Sequence, residues 1–266
     1  MTFEVDAFVA FAEELAALAR DRARAAFAGG AAFTTKSDGS PVTELDQAIE
    51  REMRALIVAR FPDHGILGEE YGTQGGERDL VWVLDPIDGT KCFAAGLPTF
   101  GSLIALCHEG VPIVGVVELP VMQHRCVGAR GRPTTLNGRP VRTRAPRDLE
   151  SCVMSAAGSE FYRGPAPRAG FDRLSARTQW NVYGGGCVSY ASLAGGYVDI
   201  CLEGANLSTF DYCAYVPVVE GAGGAISDWH GGPLRLVIDP AARAAGVVAT
   251  ADLRIHALAL DCINGR

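Results

Sequence analysis

The chain has 266 residues, 48% of them hydrophobic and 21% charged, which allows a sizeable core and argues against disorder. Its 31 acidic residues outnumber 24 Lys plus Arg, for a net charge of −7. Gripping nucleic acid through its phosphates needs the opposite balance, so that class of partner is disfavoured.

Residues 4–27 read as an amphipathic helix, with Val5, Phe8, Ala12, Leu15, Ala19 and Ala23 at helical spacing and Gly29-Gly30 as its stop. A polar loop runs from Thr34 to Pro41. A second helix starts near Thr43, an N-cap candidate with Asp46 three residues on. Leu45, Ile49, Met53 and Leu56 line one face, and Pro62 ends the helix by Phe61. Residues 65–70 read as a short strand running into Glu69 and Glu70, and Leu80 to Leu84 as a buried strand. Strands are expected at 100–108 and 111–119, and a hairpin turn at Leu136-Asn137-Gly138-Arg139.

The composition shifts at 144–150, which predicts two subdomains, 1–147 and 148–266. Residues 159–170, rich in Gly, Pro and Arg, read as irregular surface. Beyond them the pattern predicts a helix at 188–195, a strand at 197–202 and a helix at 212–223. Strands at 225–228 and 245–250 and a helix at 252–263 follow. Mixed elements in this order point to a layered α/β or α+β fold.

The eight cysteines form no C-x-x-C pair and the five histidines no H-x-H or H-x-x-x-H pair, so a structural zinc site is not expected. Most cysteines lie in apolar stretches and read as free thiols suited to a reducing compartment. Residues 1–27 carry no signal-peptide pattern, and the longest uncharged run, Cys92 to His108, is broken by Gly96, Pro98 and Gly101. The expectation is a soluble cytoplasmic protein with no membrane partner.

The most informative feature is Asp85-Pro86-Ile87-Asp88-Gly89-Thr90, at the end of the predicted buried strand. Strand ends opening into loops are where α/β sheets place ligands. Pro86 pushes Asp85 toward an extended conformation, which lets both carboxylates and the Ile87 carbonyl face one point. Gly89 permits close approach of backbone to an anion, and Thr90 adds a hydroxyl. Such hard oxygen donors suit Mg²⁺. The same residues also suit an Asp-Pro and Asp-Gly turn in which both acids cap backbone groups.

The segment Trp82 to Thr90 resembles the signature of the inositol monophosphatase family of Mg²⁺-dependent, lithium-sensitive phosphatases. Three further segments resemble that family in order: Lys36-Ser37-Asp38 with Val42-Thr43 and Asp46; Gly68-Glu69-Glu70; and Phe210-Asp211 with Glu220-Gly221-Ala222-Gly223-Gly224. The resemblance implies an α/β fold, a layered α/β/α/β/α sandwich, with two or three Mg²⁺ ions between the subdomains. It implies that Glu69, Asp85 and the Ile87 carbonyl hold a first ion, and Asp85, Asp88 and Asp211 a second. Asp46 would act through water or a third ion. The Asp88-Gly89-Thr90 turn would bind the substrate phosphate through the Gly89 and Thr90 amides. Glu69 with Thr90 would activate the attacking water, and Lys36 would ease anion approach. A homodimer acting on a small phosphate monoester is implied as well.

Residues Lys91 to Leu106, Tyr183 to Tyr190 and Tyr212 to Trp229 resemble most the histidinol-phosphatase branch, which hydrolyses L-histidinol phosphate in histidine biosynthesis. Gly185, Gly186, Cys187, Glu203 and Asp211 would then line the alcohol pocket. The chain departs from that branch at Gly186, where an Asp is usual, and at Leu207-Ser208-Thr209, where Leu-Lys-Pro is usual. Losing an acid at 186 leaves Glu203 as the partner for the cationic histidinol. The alternatives are an inositol or broader sugar-phosphate monophosphatase, whose pocket needs several hydrogen bonds rather than one acid, and a non-catalytic metal-binding protein.

Overall fold

The computed structural model describes residues 5–29, 34–35, 41–42, 44–205, 207–239 and 242–266. Two long helices open the chain, α1 (Val5–Gly29) and α2 (Glu44–Arg60), with the short antiparallel pair β1 (Thr34–Thr35) and β2 (Pro41–Val42) between them. Helix α1 continues through Gly29 rather than stopping before it. Its buried stripe, Phe8, Phe11, Ala12, Leu15, Ala16, Ala19 and Ala23, follows the predicted period. The buried stripe of α2 is less ordinary, since Asp46 and Glu50 share it with Ile49, Met53 and Ile57.

An eight-stranded sheet follows: β3 (Gly65–Gly68), β4 (Gly72–Gln74), β5 (Leu80–Asp88), then after the single-turn α3 (Thr90–Ala94), β6 (Gly101–His108), β7 (Val111–Leu119), β8 (His124–Ala129), β9 (Thr135–Leu136) and β10 (Arg139–Pro140). The expected hairpin turn joins β9 to β10, with Asn137 and Gly138 both at positive φ. Strand β5 is longer than predicted: pairing with β6 continues past Leu84 to Asp88, with a register shift between Asp85 and Asp88. An irregular ladder accommodates Pro86, which has no N–H to donate. Strands β4 and β8 carry no clean alternation and escape a pattern reading.

The second sheet has five strands in the order β12-β11-β13-β15-β14: β11 (Val153–Ala156), β12 (Trp180–Tyr183), β13 (Ile200–Glu203), β14 (Ala225–Asp228) and β15 (Val247–Thr250). Helices α4 (Pro165–Ser175), α5 (Cys187–Ala194), α6 (Thr209–Tyr212), α7 (Tyr215–Gly221) and α8 (Leu253–Asn264) complete it. The predicted division at 147/148 lies between β10 and β11.

Three expectations change here. The segment read as irregular at 159–170 leads into helix α4, because Pro165 sits in the first turn, where its missing N–H costs nothing, and Phe171 and Leu174 bury. The strand expected from Tyr197 begins at Ile200, because the Tyr197 N–H is spent on the Ser192 carbonyl at the end of α5. The helix expected over 212–223 is two helices. One continuous helix would place Pro217 in its interior, whereas as the third residue of α7 it blocks nothing.

Five layers result. Helices α1 and α2 cover one face of the first sheet through Trp82, Leu84, Ile104, Leu106, Val114 and Val116. The opposite face, with Val81, Val83, Leu103 and Val117, packs on α5 and α7, which also meet the second sheet at Val153, Cys201 and Ala249. The far face of that sheet packs on α4 and α8. The acids at the end of β5 therefore open toward the layer shared by both sheets.

Candidate active site

The first half of β5 is apolar and alternates between two cores; its second half carries Asp85 and Asp88. Asp85 is fully buried, while Asp88 and Asp211 are partly buried. Carboxylate oxygens of these three lie within 4.8 Å of one another. Asp211 reaches the cluster from the single turn α6. A capping box holds it there, in which the Ser208 N–H donates to Asp211 Oδ2 at 2.5 Å.

Asp88 is held from the other side. Its Oδ2 accepts from the Cys187 N–H at 2.8 Å, at the start of α5, and from the Tyr215 hydroxyl at 3.2 Å. The Tyr215 ring stacks on Tyr190 with centroids 3.7 Å apart. Ser102 Oγ donates to the Pro86 carbonyl at 2.6 Å and fixes the irregular part of β5. Gly89 has φ +86 and turns the chain into α3. The Thr90 hydroxyl donates to the Ile87 carbonyl at 3.0 Å. That oxygen keeps a second lone pair, so it remains a candidate cation ligand.

Asp46, buried in the first turn of α2, and Glu69, half-buried after β3, lie outside the tight triad, yet their charges act on Asp85. Burial, then the charges of Glu69, Asp88, Asp211 and Asp46, push the Asp85 carboxyl well above the usual carboxylate range. Burial raises Asp88 against its bonds from Cys187 and Tyr215. Burial, with Asp88 and Glu69 adding, raises Asp211. Asp85 Oδ1 is buried with no hydrogen-bond partner. Converging acids that raise one another, with an orphaned buried oxygen among them, fit divalent cations bound by hard oxygens. Residues Lys36, Ser37, Asp38 and Thr43 lie outside the described residues.

The residues assigned to the alcohol pocket lie beside this cluster. Glu203, the buried last residue of β13, accepts from the Gly186 N–H at 3.3 Å. Burial pushes its carboxyl up to about 8, with the Asp88 charge adding and the Gly186 amide opposing. Gly185 packs against Glu203, so that a Cβ there would lie 3.1 Å from Oε1. Gly186 has φ +58, and a Cβ on it would lie 3.2 Å from Asp88 Oδ2. An Asp at 186 on this backbone would be strained and would face a like charge. A separate cleft of about 620 Å³, lined by Arg130, Arg142 and Glu220 among others, contains none of these acids.

Two residues escaped the sequence reading. Tyr215 carried no signal, because its hydroxyl meets Asp88 only through the packing of α7. Glu50 carried one: it lies four residues after Asp46 and four before Arg54, on the same helical face as Ile49 and Met53.

The five-layer architecture is that of inositol monophosphatases. An inositol monophosphatase from Zymomonas mobilis superposes with a TM-score of 0.87 at 32% identity, covering 98% of this chain and 99% of that one. A family model described as the inositol monophosphatase family matches residues 4–262. The chain belongs to that family, whose members are Mg²⁺-dependent phosphatases. It is similar to the bifunctional phosphatase IMPL2, chloroplastic, of Arabidopsis thaliana, at 39% identity over 98% of this chain and 76% of the relative. It is also similar to the histidinol-phosphatase of Mycobacterium tuberculosis, at 39% identity over 74% of this chain and 77% of the relative. No helix among the described residues is long and apolar enough to cross a membrane.

Proposed function

We propose that the chain hydrolyses L-histidinol phosphate to L-histidinol and phosphate in a Mg²⁺-dependent reaction of histidine biosynthesis. The observation that carries the substrate is Glu203, a buried carboxyl beside the acid cluster with a backbone amide as its hydrogen-bond partner. A cationic alcohol beside it favours loss of its proton and then forms a charge-assisted pair with it, which a neutral polyol does not. The Mycobacterium tuberculosis relative at 39% identity, named histidinol-phosphatase, supports the same reading.

Glu69, Asp85 and the Ile87 carbonyl would hold one cation, Asp85, Asp88 and Asp211 a second, and Asp46 would contribute through water or a third. When bound, the cations reverse the local charge, lower the pKa of water and stabilise the departing oxygen. The Gly89 and Thr90 amides would orient the phosphate. Glu69, with Thr90, would take a proton from the water that attacks phosphorus. The water oxygen bonds to phosphorus as the P–O bond to the alcohol breaks, and the proton taken from the water passes to the departing alcohol oxygen. Cys187 and Tyr215 hold Asp88 in place.

A second reading, an inositol or broader sugar-phosphate monophosphatase, is favoured by Gly186, which offers no side chain to a cationic alcohol, and by the Zymomonas relative. Measuring kcat/KM with Mg²⁺ for L-histidinol phosphate and myo-inositol 1-phosphate separates the two. The expected preference is about a hundredfold for histidinol phosphate, about 2.7 kcal/mol in the transition state. A flat or reversed ratio would assign the chain to the second reading. The proposal includes a cytoplasmic location, supported by eight free cysteines, and a homodimer, which light scattering on the purified protein checks.

A further inference from the structure

We propose that Glu50 is a positioning residue that fixes Glu69 beside the acid cluster by holding the turn after β3. The proposal rests on the reading above, in which Glu69 acts on the attacking water and a cation.

The Glu50 side chain is completely buried. Its Oε2 accepts from the Glu70 N–H at 2.7 Å, and its Oε1 from the Tyr71 N–H at 3.2 Å and from Arg54 Nε at 2.8 Å. Arg54 in turn donates to the Gly72 carbonyl. On the other side of Glu69, strand β3 presses against the same carboxylate: a Cβ on Gly68 would lie 2.0 Å from Glu50 Oε1. Glu69 is therefore bracketed, with Gly68 in contact with Glu50 before it and two amides bonded to Glu50 after it. The Glu69 N–H donates to the Leu84 carbonyl at 3.2 Å, which ties the turn to β5 one residue before Asp85.

The arrangement answers an electrostatic problem. Glu69 is one of the charges that raise Asp85, so without cations the two carboxylates repel. A turn free to move would relieve that repulsion by swinging Glu69 away. A buried carboxylate joined to two amides and a nearly buried guanidinium resists the swing, because leaving those donors unpaired is costly. Glu50 touches none of the reacting atoms; it acts through the backbone of residues 68–71.

The test uses the full-length protein with Mg²⁺. Glu50→Gln keeps the volume but places an amide NH₂ against donors. Gly68→Ala pushes the Glu50 carboxylate aside from the strand, which gives a second route should Glu50→Gln fail to fold. Circular dichroism and metal-free melting establish folding. For each variant the expected result is a loss in kcat of about 10- to 100-fold with substrate KM nearly unchanged, and a smaller Mg²⁺-induced rise in melting temperature. In a Glu69→Gln background, Glu50→Gln should cause little further change in either quantity. Wild-type kcat and Mg²⁺ response in folded Glu50→Gln and Gly68→Ala would overturn the proposal. So would an undiminished effect in the Glu69→Gln background, which marks a purely structural role. Glu69→Gln alone tests the underlying reading: full activity there would sink that reading and the proposal with it, whereas an inactive Glu69→Gln beside an active Glu50→Gln would sink the proposal only.

Discussion

Two buried aspartates in this molecule have opposite surroundings. Asp199, in the second half of the chain, is fully buried and satisfied: Arg144 Nε donates to Oδ1 at 2.9 Å, and the Val153 N–H donates to Oδ2 at 2.7 Å. Asp85, at the end of β5, is equally buried but has an unpartnered Oδ1 and is raised by four other acids. A fold tolerates a buried carboxylate when it supplies the counter-charge itself. Where it supplies more negative charge instead, the balance comes from something that binds. Asp199 is balanced by the fold itself, whereas under the proposed function Asp85 is balanced by the cations it holds.

Replacing Asp88 by Asn strikes the Asp85 side of that contrast hardest. Turnover with Mg²⁺ should fall about a thousandfold or more, since several kcal/mol of transition-state stabilisation is lost. The circular dichroism spectrum should persist, and undiminished turnover would remove the metal mechanism.

Glu203→Gln comes next, and it concerns an acid between the two extremes. Activity on histidinol phosphate should drop about tenfold to a hundredfold, with little change for a neutral alcohol phosphate. Its effect on stability has a defined sign. A carboxyl raised to about 8 by burial stays protonated in the folded protein, where the unfolded chain ionises it. Its ionisation therefore destabilises the native state increasingly as pH climbs from about 4.5 toward 8, by at most about 1.4 kcal/mol per pH unit. Urea unfolding should find Glu203→Gln matched to the wild type near pH 4.5 and the more stable of the two at pH 8. A constant difference across that range would contradict the assignment of Glu203 as an uncompensated acid.

Asp199→Asn has the smallest effect on activity and is the mirror image. Arg144 is 44% exposed and re-solvates easily, so the expected loss is about 1.5–3 kcal/mol of stability. Per-site kcat should stay at the wild-type level. A large loss of kcat with unchanged melting would break the distinction between the two aspartates.

How far each region was legible follows from how local its cause is. Asp85, Ile87, Asp88, Gly89 and Thr90 lie in one hexad, and the covalent chain alone keeps them within about 17 Å of one another. The two opening helices were readable from their 3.6-residue stripes, and the turn at Asn137-Gly138 from its demand for positive φ. Helix α4 was hidden by its Gly, Pro and Arg content, because burial of Phe171 and Leu174 outweighs local propensity. The break between α6 and α7 hinged on where Pro217 falls relative to a helix start, which a window across 212–223 averages away.

By itself the sequence determined the family resemblance, the layered fold class and the short motifs that contain the candidate ligands, since each depends on residues close along the chain. Only the tertiary structure decided which buried acids have counter-charges and which do not. It also decided that Glu50 grips the turn bearing Glu69, that Tyr215 reaches Asp88, and that Gly186 stands against Asp88. The reason is that an electrostatic environment sums over every segment packed around a site. Here α2, β3, β5, α5, β13, α6 and α7 all contribute, and no stretch of sequence contains that sum.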